Sequence, residues 1–224
     1  GDFNGDGEID AVIGAYNEGS NGSGSGATYI ITGPLSSTMT GATSGMLSLQ
    51  NAFASFYGEN HSDFSGYDVD FAGDVNGDGT NDVLIGAYGE DSGSNGAGAV
   101  YLILGSTTGN TGQSLLLADG FYTGEGLNHF AGRKISSAGD FNGDGYADFI
   151  IGATGEDTNS TAAGAAYIFF GDGSPTADLD FKIPGKRGGS HRTRYFGNLE
   201  GVELQTKKLA YQAQLKSGKS MSEW

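Results

Sequence analysis

The sequence predicts an all-β fold of repeated, four-stranded antiparallel units, and three observations carry that expectation. First, the chain repeats itself. GDFNGDGEIDAVIGAYNEG at Gly1 returns as GDVNGDGTNDVLIGAYGED at Gly73 and as GDFNGDGYADFIIGATGED at Gly139, at offsets of 72 and 66 residues. Self-similarity of this kind decides the architecture before any local assignment does. Second, each copy is followed by a short apolar segment bounded by glycine: GATYIITG from Gly26, GAVYLILG from Gly98 and GAAYIFFG from Gly164. Brief β-branched and aromatic runs of this type are strands buried on both faces. Third, 42 glycines against 3 prolines and a hydrophobic content of 37% specify many tight turns and disfavour helix.

Taken in order, residues 1–55 form a partial unit, because nothing precedes its acidic loop. The second unit, about 56–120, begins with FYGENHSDFSGYDVDFAGD from Phe56, in which YDVDFAG alternates as a half-buried strand does. DVLIGAY and AVYLILG follow as buried strands, and a weaker fourth strand is expected at SLLL from Ser114. The third unit, 121–184, opens with FYTGEGLNHFAGRKISSAGD and ends with a fourth strand at DLDFKI from Asp178. The pairs Gly58-Glu59 and Gly124-Glu125 precede Phe64 and Phe130 by the same spacing. Four strands in about 65 residues suit the blade of a β-propeller, whose usual four to eight blades exceed what residues 1–184 supply. The expectation is a partial propeller or a fragment of a larger one. Residues 185–224 carry no further GDxNGDG and are expected to be a divergent basic tail, helical in LEGVELQTKKLAYQAQLK or flexible.

Charge narrows the function classes. The net charge of -16 is split: residues 1–181 hold two cations against 24 carboxylates, and 182–224 hold nine against three. An acidic body excludes nucleic acid as its partner, since phosphate binding needs clustered cations, and suits a cation binder. There is no cysteine, hence no disulfide framework and no thiolate metal site. No apolar run approaches the roughly 20 residues of a membrane span.

The repeated loop places side-chain oxygen at its first, third, fifth and ninth positions, with glycine at the fourth and sixth. These are Asp2, Asn4, Asp6 and Asp10; Asp74, Asn76, Asp78 and Asp82; and Asp140, Asn142, Asp144 and Asp148. Alternating oxygens on a curled backbone converge on one hard cation, and the backbone carbonyl of the seventh position, Glu8, Thr80 or Tyr146, adds a ligand. All-oxygen ligation on a flexible loop favours Ca²⁺ over Mg²⁺ and Zn²⁺. The twelfth position is Ile13, Ile85 or Ile151, so no bidentate Glu closes the loop as in a helix-flanked calcium hand, and the ninth-position Asp is expected to close it.

Phe64-Ser65-Gly66 and Phe130-Ala131-Gly132, followed by the GDxNGDG loops and by Gly86-Ala87-Tyr88 and Gly152-Ala153-Thr154, resemble the FG-GAP repeat of integrin α-subunit propellers and related bacterial surface proteins. The resemblance covers residues 1 to about 181. It implies a calcium-stabilised propeller of an extracellular or cell-surface protein engaged in adhesion or recognition; a protein or glycan on a cell surface or matrix, or neighbouring copies of the chain, are the expected partners.

Other residues weigh less. Glu18, Glu90 and Glu156 each lie four residues after the Gly of a Gly-Ala pair, where a second ion or ligand competes with a solvated turn, the simpler expectation. His61, His129 and His191 share no repeat position and are expected at the surface. No Ser/His/Asp set is readable, and the regular carboxylates belong to the loops, so the chain is expected not to be an enzyme. Asn21, Asn60 and Asn159 begin N-x-Ser/Thr triplets that would be glycan acceptors in an exported eukaryotic protein. The leading function is thus a calcium-binding recognition module. The rivals are a self-assembling surface fibre or sheath built through open blade edges, and the accessory propeller of a secreted hydrolase.

Overall fold

The structure, a computed structural model, describes residues 1–34, 48–156 and 163–174 and the backbone of 178–184. The chain divides into two compact units, Gly1–Arg187 and Gly188–Trp224. The expected basic tail 185–224, with His191, and the triplet at Asn159 lie outside the described residues.

Twelve strands form three four-stranded sheets among the described residues. The first sheet runs in the order β1 (Ala11–Ala15), β2 (Ala27–Ile31), β3 (Ala54–Tyr57) and β7 (Gln113–Ser114). The second runs β4 (Asp68–Gly73), β5 (Asp82–Ala87), β6 (Ala99–Ile103), β8 (Gly120–Thr123). The third runs β9 (Ala131–Gly139), β10 (Asp148–Ala153), β11 (Ala165–Phe170), β12 (Asp178–Pro184). The second and third are antiparallel throughout, as blades of a propeller are, and no closed barrel forms among the described residues. Helix is confined there to single 3-10 turns at Leu49–Asn51 and Leu115–Leu117.

One expected strand is corrected. SLLL at Ser114 is not the fourth strand of the second sheet: β7 ends at Ser114, and Leu115–Leu117 turn because the Ser114 hydroxyl accepts from the Leu116 N–H at 3.3 Å. Leu115 is buried while Leu116 and Leu117 are 72% and 73% exposed, so the run is apolar without being strand. GFYT takes the fourth place instead. The sheets also change over between residues 57 and 68 and between 123 and 131, because the FYGE segment contributes β3 to the first sheet and not a leading strand to the second.

The continuous hydrophobicity of β5 and β6 has a physical cause: the second sheet is covered on both faces. Along β5, Val83 and Ile85 join a core with Phe3 of the first acidic loop and Ile30 and Phe56 of the first sheet, while Leu84 joins Phe149, Ile151 and Phe169 of the third. Along β6, Tyr101 and Ile103 face the first core and Val100 and Leu102 the second. Strand alternation therefore sends successive side chains into two different cores. Inner strands are also pinned across sheets. Asp68 accepts the Ile135 N–H at 2.9 Å and lies 3.3 Å from Lys134 Nζ, and Ser137 Oγ donates to the Ala72 carbonyl at 2.8 Å.

The recurrent glycines mark where backbone meets backbone. Gly98 has φ +75°, and a Cβ there would stand 2.2 Å from the Ala131 carbonyl oxygen, which belongs to the next repeat. Gly98→Ala is expected to cost at least about 2 kcal/mol, combining left-handed strain with the clash. Gly19→Ala, whose nearest neighbour would be 3.6 Å away, should stay within about 0.5 kcal/mol. Urea unfolding of both variants checks this; equal losses would contradict it.

Candidate metal centres

The three acidic loops share one hydrogen-bond pattern. In the second, Asp74 Oδ1 accepts the Gly77 and Asp78 N–H groups at 2.6 and 3.0 Å, and Oδ2 accepts the Gly79 N–H at 2.9 Å. Asn76 Oδ1 accepts from the Asp78 N–H at 3.0 Å, and its Nδ2 donates to Asp78 Oδ2 at 2.8 Å. Asp2, Asn4 and Asp6 repeat this pattern, as do Asp140, Asn142 and Asp144. The curl demands glycine at the fourth and sixth positions, where φ lies between +72° and +98° in all three copies.

The ninth-position carboxylates stand apart from the others. Asp10, Asp82 and Asp148 are buried. Asp82 Oδ2 accepts the Val75 N–H at 2.8 Å and Oδ1 the Gly105 N–H at 2.9 Å. Asp10 bonds Phe3 and Gly33 in the same way, and Asp148 bonds Phe141 and Gly171. Each thereby ties the start of the loop to the exit of the strand that returns beside it.

Glu8, Thr80 and Tyr146 donate their N–H groups to the fifth-position carboxylate, each at 2.9 Å. The side chains of Thr80 and Tyr146 have work that spacing alone did not reveal. A Cβ on Gly77 would meet the Tyr146 ring at 2.5 Å, and one on Gly5 would meet Thr80 at 3.2 Å, so Thr80 and Tyr146 each rest on the fourth-position glycine of the preceding loop. Asp2 and Asn81 exchange hydrogen bonds at 2.8 Å, and the Ala147 N–H donates to the Asp74 carbonyl at 2.9 Å. The loops form a contiguous row.

Electrostatics follow the geometry. Burial pushes the Asp82 carboxyl up to about 6 against the pull of the Gly105 and Val75 amides, and the charges of Asp78 and Asp74 add to the rise. Asp148 is raised by burial too, with Asp144 contributing. Burial alone would raise Asp78, but hydrogen bonds from Thr80 and Asn76 outweigh it and lower the group. Carboxylates that repel one another across a nine-residue loop, with no nitrogen or sulfur donor among them, fit a hard divalent cation.

Elsewhere the structure departs from expectation. Glu90 and Glu156 are not solvated turns: they are 1% and 0% exposed. His61 is exposed beside Ser62 Oγ at 2.7 Å, whereas His129 is half-buried between Glu125 and Glu156. Asn21 and Asn60 are exposed, and Asn21 Nδ2 donates to the Gly58 carbonyl at 2.8 Å.

A raised acid favours the folded state only while protonated. Its contribution is complete below the ordinary value of 3.8 and is lost as the pH rises through about 6. In cation-free buffer, the stability of the native protein relative to Asp82→Asn should therefore shift against the native protein between pH 4 and 7. Paired melting curves measure this, and a difference independent of pH would refute it.

Comparison with known proteins matches residues 65–103 and 131–169 to the FG-GAP repeat. The chain is also 36% identical over 113 residues to integrin alpha-PS2 of Drosophila melanogaster, an alignment that takes in 47% of this chain and 8% of that protein. The chain thus spans a small fraction of the relative it matches.

Proposed function

From the premise that the chain is an FG-GAP repeat protein with integrin-like similarity, we propose that it is a non-catalytic, calcium-binding recognition module that acts outside the cell or at its surface. The observation that carries this reading is the row of three acidic loops built on one pattern. Asp2, Asn4, Asp6 and Asp10 would hold one ion, Asp74, Asn76, Asp78 and Asp82 a second, and Asp140, Asn142, Asp144 and Asp148 a third. The carbonyls of Glu8, Thr80 and Tyr146 would complete the shells. Calcium would offset the mutual repulsion of these carboxylates and stiffen the loops, so that neighbouring surfaces present a fixed shape to a protein or glycan ligand.

Calorimetric titration of the full chain with Ca²⁺ should give about three sites, and excess chelator should lower the melting temperature by several degrees. An unchanged melting curve in chelator would overturn the reading.

A further inference from the structure

We propose that Glu125, His129 and Glu156 form a second kind of cation site, separate from the acidic loops and suited to a borderline transition-metal ion such as Zn²⁺. One carboxylate oxygen from each Glu and one ring nitrogen of His129 all lie within 4.8 Å of one another. Two oxygens and an imidazole nitrogen are a zinc donor set, whereas calcium sites use oxygen alone. With bonds of about 2.1 Å, ligand atoms on one ion stand at most about 4.2 Å apart, so closing on the ion takes side-chain shifts of under about an ångström. Glu156 is fully buried, His129 half-buried and Glu125 exposed, so the cluster runs from the interior to the surface.

The fold prearranges this cluster through backbone rather than through the side chains themselves. Glu156 follows β10 in a turn closed by its N–H to the Ala153 carbonyl at 3.4 Å, and its own carbonyl accepts from the Gly164 N–H at 2.8 Å. Glu125 and His129 lie in the connection between β8 and β9, which is bent by left-handed Asn128 and Phe130 at φ 58° and 54°. The Gly155 N–H donates to the His129 carbonyl at 3.0 Å, and a Cβ on Gly155 would collide with the Asn128 carbonyl at 1.9 Å. The two loops are thus pressed together next to the three side chains.

An independent observation comes from the preceding repeat. Sixty-six residues earlier in each case stand Glu59, Asp63 and Glu90, a carboxylate replacing the imidazole. Asp63 and Glu90 are 2% and 1% exposed. Glu90 Oε1 accepts from the Ser92 N–H at 2.8 Å and from the Ser92 hydroxyl, while its buried Oε2 has no hydrogen-bond partner among the described residues. Tyr101 donates to Glu59 Oε1 at 3.0 Å. A buried carboxylate oxygen without a donor is costly unless a cation or a proton meets it. Burial holds Asp63 up to about 6, and the charges of Glu90, Asp91 and Glu59 reinforce the rise. The same three positions therefore carry ligand-type side chains in both repeats. They offer oxygen alone in one copy and oxygen with nitrogen in the other.

The test is calorimetric titration of the full chain with Zn²⁺, run both with and without saturating Ca²⁺ so that failure of the calcium reading leaves it unaffected. One Zn²⁺ site per chain is expected, weakened at least tenfold by His129→Asp and by Glu156→Gln. His129→Asp copies the side chain already present at Asp63, so it should keep the fold, checked by an unchanged melting temperature without zinc. A Co²⁺-loaded sample should show ligand-field absorption that His129→Asp removes. No zinc uptake, or uptake untouched by both variants, would overturn the site.

Discussion

The buried ninth-position aspartate is the interaction on which the rest of each unit depends. Its carboxylate is shared: one oxygen holds the first amides of the acidic loop, and the other holds an amide just past the returning strand. Without it, the loop would lose its anchor and at least two N–H groups, one of them buried, would lose their acceptor, the buried one at a cost of about 1–3 kcal/mol. The same group sits beneath the ring of first- and fifth-position carboxylates, so the residue that shapes the loop also feels its charge. Architecture and ion chemistry meet in one side chain.

Stability is distributed along the row of sheets. The second sheet contributes one set of side chains to each of two cores, while β1 of the first is largely exposed. Repeat proteins of this kind owe their stability to nearest-neighbour interfaces as much as to the units themselves. The aromatic contacts belong to this pattern: Phe64 stacks on Tyr88 at 5.1 Å, Tyr67 meets the same ring edge-on at 4.6 Å, and Arg133 of the next repeat lies 5.5 Å from its centre.

How much was legible follows from what a linear repeat encodes. The three loops and the buried strands β5, β6, β10 and β11 could be read from spacing, because each is a local pattern written more than once. The turn at Leu115–Leu117 could not: three leucines look like strand until Ser114 caps them. Nor could the assignment of β3 to the first sheet, which depends on pairing with β2 across a long connection. Glu90 and Glu156 were visible as repeated carboxylates, but their burial is tertiary, in turns whose Gly89 and Gly155 N–H groups donate to the Asp63 and His129 carbonyls. Only the common offset of 66 among Glu59 and Glu125, Asp63 and His129, and Glu90 and Glu156 hinted at that.

The seating of Thr80 on Gly5 and of Tyr146 on Gly77 has a consequence for how such a molecule grows. The contact is head-to-tail: the leading surface of one unit meets the trailing surface of its neighbour, and the two surfaces differ. Each internal unit therefore carries both halves of the same joint. A duplicated segment of gene would encode a unit that already fits at either end, so the number of units is free to change while every joint stays the same.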